Sequence, residues 1–135
     1  MATETILQEI TIRVPGRPPT ANARRHWRSV ARDNETWKNS TTHTAEQAKH
    51  EWEARHGLKW RPLRLADLTV VFGVHTRAVR DWDNLIGSIK PELDGIVAAG
   101  ILLDDSIRVI RSISFAIAQS PREPYTEFVA SEVIE

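Results

Sequence analysis

The residues from Leu68 to Thr76 constrain the fold most. Leu68, Val70, Phe72 and Val74 alternate with Thr69, Val71, Gly73 and His75, the period of a β-strand, and both faces are fairly apolar. A strand of that kind belongs at the centre of a sheet, not at its edge. Neighbours for it are at hand. Over residues 5 to 14, Ile6, Gln8, Ile10, Ile12 and Val14 oppose Thr5, Leu7, Glu9, Thr11 and Arg13, the pattern of a half-buried strand. Two further alternating runs, Ile107 to Gln119 and Tyr125 to Ile134, are joined by Ser120, Pro121, Arg122, Glu123 and Pro124, which predicts an antiparallel hairpin.

Between these strands lie two helical stretches. Pro15, Gly16, Pro18 and Pro19 end the first strand and open an extended loop through about Arg32. From Asn34 to His56, Trp37, Thr41, Ala45, Ala48 and Trp52 recur at helical spacing, with Lys49/Glu53 and Glu51/Arg55 as i, i+4 pairs and Gly57 as the stop. The two tryptophans read as core anchors. A second helical stretch runs from Asp83 to Ala99 and ends at Gly100; Pro91 must kink it or divide it. The order β-α-β-α-β-β predicts an α/β or α+β fold, a mixed sheet with helices packed on it, in one domain covering residues 1–135.

A chain of 135 residues can bury a core without staples, and its 41% hydrophobic and 27% charged residues exclude a disordered chain. The absence of cysteine excludes disulfides and thiolate zinc sites. The opening MATETILQEITIRV carries acids and does not read as a signal peptide. No apolar stretch approaches the roughly 20 residues that span a bilayer. A cytoplasmic protein without membrane contact is expected.

The chemistry concentrates between Arg80 and Ser106, where Asp81, Asp83, Asp94, Asp104 and Asp105 accompany a single lysine, Lys90. Asp81 and Asp83 flank Trp82 at a helix start, and Asp104 and Asp105 follow the apolar run Ile101, Leu102, Leu103. Each pair alone suits a helix cap or a turn. Together, and with the lysine, they suit a metal-dependent phosphodiester-cleaving site. Mg²⁺ takes oxygen ligands from a few carboxylates, water and substrate phosphate, and a bound cation removes the repulsion among clustered acids.

Net charge is zero, but it is unevenly distributed: residues 1–80 hold 14 Lys+Arg against 8 Asp+Glu, and residues 81–135 hold 4 against 10. Arg13, Arg17, Arg24, Arg25, Arg28 and Arg32 fall in a span without acids, interleaved with His26 and Trp27. Such a segment can neutralise phosphates and stack on bases, which an acidic site needs in order to hold a polyanion nearby. Arg77 and Arg80 lead directly into the aspartates. A histidine metal site is disfavoured: of His26, His43, His50, His56 and His75, only His43 and His50 share a helix face, seven residues apart.

Three segments together resemble the RusA family of Holliday junction resolvases over nearly the whole length. They are Pro18-Pro19-Thr20-Ala21-Asn22 after the first strand, the central RDWDNL at Arg80 to Leu85, and AGILLDDS at Ala99 to Ser106. The resemblance implies a homodimer that cuts four-way DNA junctions by Mg²⁺-dependent hydrolysis, with Mn²⁺ as a substitute ion, nicking opposed strands symmetrically. It assigns Asp81, Asp83 and Asp105 as metal-binding carboxylates, with Asp104 as a neighbour. Arg24, Arg25, His26, Arg28, Arg77 and Arg80 become the expected DNA contacts. In one departure, the position four residues after the second aspartate, where the family often has a lysine, is Gly87. Lys90, which on a helix unbroken by Pro91 would lie one turn further along the same face, is the replacement candidate, and Asp94 is its neighbour at i+4. Two rivals follow: a junction-binding protein of the same fold that has lost cleavage, and a nuclease acting on RNA or flaps.

Overall fold

The computed structural model describes residues 7–16, 27–74, 81–119 and 122–134, with residues 27–30 described by their backbone alone. Four strands, β1 (Glu9–Pro15), β2 (Ala66–Val74), β3 (Ile110–Gln119) and β4 (Tyr125–Glu132), form one sheet in the order β1-β4-β2-β3. Among the described residues there are also three helices, α1 (Trp27–His56), α2 (Trp82–Gly87) and α3 (Lys90–Ala98). β4 pairs antiparallel with β1 and β2, and β2 pairs parallel with β3, so the sheet is mixed and the class is α+β.

The core lies between one face of the sheet and the helices. Ile10, Ile12 and Val14 of β1, Leu68, Val70 and Phe72 of β2, and Phe128 and Ala130 of β4 pack there with Ala45 and Trp52 of α1 and Leu93 and Ile96 of α3. β2 is central, as its composition requires. The opposite face of the sheet is only partly covered, with Thr69 and Ser114 exposed.

The expected β3–β4 hairpin does not form, because β2 lies between them. An apolar strand needs a neighbour along both edges, whereas β3, with Ser112, Ser114 and Ala116 exposed, tolerates an end position. The connection is long enough: the five residues 120–124 reach up to about 17 Å, against about 10 Å across one intervening strand. α1 also begins at Trp27, seven residues before the expected Asn34. No glycine or proline interrupts residues 27–33, and Arg and Ala favour the helix.

Pro91 divides the second helical stretch, as its missing N–H dictates. It sits in the first turn of α3, where no intrahelical donor is needed. α2 closes through Ser88, whose Oγ donates to the Leu85 carbonyl at 2.7 Å. α3 then packs tightly on α1 at Gly95, where an added Cβ would stand 2.6 Å from the Lys38 carbonyl oxygen. The end of α3 is capped from α1: Lys49 Nζ donates to the Ala99 carbonyl at 2.8 Å, so this lysine serves a helix terminus. Its expected partner Glu53 accepts instead from the Trp60 N–H at 2.8 Å. Gly100, with φ +79°, reverses the chain. Among the described residues, no helix is long and apolar enough to cross a membrane.

Candidate functional site

An aromatic row anchors the start of α2. The Trp82 ring meets Phe72 edge-on with centroids 6.4 Å apart, and Phe72 stacks on Phe115 at 6.0 Å. Asp81 and Asp83, on either side of Trp82, are both exposed. Asp81 is the N-cap residue, yet its side chain makes no capping hydrogen bond. Asp83 Oδ1 accepts from the N–H of Asn84 at 3.0 Å.

The second grouping forms around Lys90. Its Nζ lies 3.0 Å from Asp94 Oδ1, one turn along α3, and 2.5 Å from Asp105 Oδ2. Asp105 reaches it because the chain reverses at Gly100 and residues 101–103 are then pinned: the Leu63 N–H donates to Ile101 O at 2.9 Å, and the Leu103 N–H to Leu63 O at 3.1 Å. The turn itself is stapled by Asp104 Oδ1, which accepts from the Asp105 N–H at 2.8 Å. That bond and the Ser106 hydroxyl hold the Asp104 carboxyl below its usual range. Asp105 first, and Asp94 second, push the Lys90 ammonium up to about 12. Lys90 is therefore a permanent cation at neutral pH, suited to charge stabilisation and not to proton abstraction. With 65% of its side chain exposed, the cluster adds little stability.

Of the acids singled out in the sequence, the structure thus joins Asp94 and Asp105 through Lys90. It does not gather Asp81, Asp83 and Asp105 into one cluster: among the described residues, no group of three or more His, Asp or Glu side chains is placed to hold a metal ion. The all-oxygen donor set suits Mg²⁺ in chemistry, while its grouping into a three-carboxylate site is not met in this arrangement. Arg24, Arg25, His26, Arg77 and Arg80 lie outside the described residues, as does the side chain of Arg28, whose backbone is in the first turn of α1. Basic residues that the sequence did not single out are Arg61, Arg64 and Arg108, which line one cleft. The signal was faint: two arginines beside Pro62, and Gln8 on the inward side of an apolar strand. No family model matches the chain, and comparison with curated proteins finds no match.

Proposed function

We propose that the chain is a RusA-like, Mg²⁺-dependent endonuclease that resolves four-way DNA junctions in the cytoplasm by paired nicks. The observation that supports it best is the meeting of Lys90 with Asp105, which joins the sole lysine of residues 81–135, immediately after the helix that carries Asp83, to the AGILLDDS segment. In this reading Asp81, Asp83 and Asp105 are the residues that would hold Mg²⁺, and the chemistry it would supply there is activation of water and neutralisation of phosphate charge. Lys90 stabilises charge on the phosphate or the leaving oxygen. The arginine-rich segment before α1, with Arg77 and Arg80, holds the DNA arms.

A homodimer belongs to the same proposal, since two symmetric cuts need two sites related by a twofold axis. β3 supports it: it ends the sheet, carries neither charge nor proline from Ser112 to Gln119, and leaves Ile113 and Ile117 39% and 46% exposed. Sheet edges of monomers are usually blunted by such residues. Ile117→Lys should convert a sedimenting dimer to a monomer.

The absence of a three-carboxylate cluster among the described residues favours one alternative, a junction-binding protein without cleavage. Incubating a labelled four-way junction with the protein and Mg²⁺ separates the two. Paired nicks support the nuclease; a retarded but intact junction supports the binder. Nicking of flap or RNA substrates in preference to the junction would identify a different nuclease.

A further inference from the structure

We infer that the cleft walled by Arg61, Arg64 and Arg108 seats the sugar–phosphate backbone of a nucleic acid strand next to the candidate site. The inference rests on the nucleic-acid reading above, but on different residues. The cleft, of about 720 Å³, runs between the segment before β2, the turn before β3 and the end of β4, and among the described residues its one acid is Glu132.

Its charge is not cancelled from within. The Glu132 carboxylate accepts from the Gln8 N–H at 3.1 Å and lies 3.7 Å from Arg61 Nη2. Neither Arg64 nor Arg108 has an acidic partner among the described residues. The described residues of the cleft, three arginines against Glu132, therefore carry net positive charge.

Arg61 is also held in place. Gln8, 2% exposed, accepts from Arg61 Nε at 2.8 Å and from the Arg61 N–H at 3.4 Å through Oε1, while its Nε2 donates to the Arg61 carbonyl at 2.9 Å. Burying an amide is unfavourable unless its bonds are made, and here they fix one surface arginine. A guanidinium oriented in this way loses less freedom when it meets an anion.

Position links the cleft to the acids. Leu103 lines it, and Asp105 follows two residues later, a reach of at most about 7 Å. Arginines recognise phosphate oxygens in a bidentate manner. Among the described residues no aromatic ring lines the cleft to stack a base, so the contact should be to backbone and indifferent to sequence.

The test is binding of the full chain to a fluorescent four-way junction without Mg²⁺, over a range of KCl concentrations. Arg64 and Arg108 are exposed, so Arg64→Ala/Arg108→Ala leaves the core intact. The expected result is a slope of log K against log salt reduced by about 1.8, roughly 0.9 per lost phosphate contact. Affinity should fall about equally for junctions of different sequence. An unchanged slope and affinity in the double variant, with wild-type protein binding normally, overturns the cleft and leaves the nuclease reading standing. Wild-type protein that binds no junction, duplex or single strand overturns both. Cleavage lost with the salt slope intact also overturns the cleft, since the arginines would then act on chemistry and not on the strand.

Discussion

Lys90 and Arg61 are both exposed cations held by neighbours, but their clamps are chemically opposite. Lys90 is fixed by two carboxylates, Asp94 and Asp105, which outnumber its charge. Arg61 is fixed mainly by the neutral amide of Gln8, with Glu132 further off at 3.7 Å. An acid clamp neutralises the cation it orients; an amide clamp orients it and leaves its charge available. The first arrangement suits a site where charge is rearranged during reaction, and the second suits a surface that holds an anion.

The largest effect that would sharpen this contrast is expected at Asp83. Asp83→Asn should lower junction cleavage by more than about 100-fold, the scale of lost metal-site support, while binding is kept or improved because a negative charge leaves the DNA face. Parallel loss of binding and of the thermal unfolding transition would make Asp83 a folding residue and remove it from the comparison.

Gly95→Ala comes next. With no room for a methyl against the Lys38 carbonyl, α3 must shift, costing about 1–3 kcal/mol, seen as a lower midpoint in urea unfolding. The Lys90 grouping rides on α3 and should be disturbed; the Arg61 clamp, which shares no element with α3, should not. Amide NMR shifts at residues 38–42 of α1 and 81–105, with those of Gln8 and Arg61 unmoved, would agree with that separation.

Gln8→Leu probes the other clamp. It strands the Arg61 N–H and carbonyl, costing about 1–2 kcal/mol, and should weaken junction binding without changing the cleavage rate of bound junction. Wild-type binding would mean that Arg61 needs no orientation.

The smallest effect is in titration. Lys90 has its pKa raised above the usual lysine value, so its contribution to stability is complete at neutral pH and is lost only as pH rises through about 12. Asp105→Asn should return its side-chain NMR titration toward the usual lysine value, as Asp105 is the larger cause. An unmoved titration would transfer the clamp to Asp94.

Much of this was legible in the chain. Strict alternation revealed β1, β2 and β4, the i, i+4 spacing put Asp94 beside Lys90, and Pro91 marked the division between α2 and α3. What local pattern does not encode is partner choice among strands: β3 and β4 alternate like a hairpin, yet the apolar β2 takes the place between them. The Lys90 contact with Asp105 spans 15 residues and exists only because Gly100 turns the chain and Leu63 pins it. The cleft was harder still, since Arg61 and Arg64, Arg108, and Glu132 come to it from three separate segments. A glutamine among inward-facing isoleucines and the arginines about Pro62 were its visible traces.

We propose that the acids at the start of α2 and at the turn before β3 serve one ion. Adding substoichiometric Mn²⁺ to isotope-labelled protein, with and without a junction, and recording paramagnetic broadening of backbone amides tests it directly. Residues 81–83 and 104–105 should broaden together at the same Mn²⁺ concentration. Broadening of one segment alone, or of neither, would contradict it.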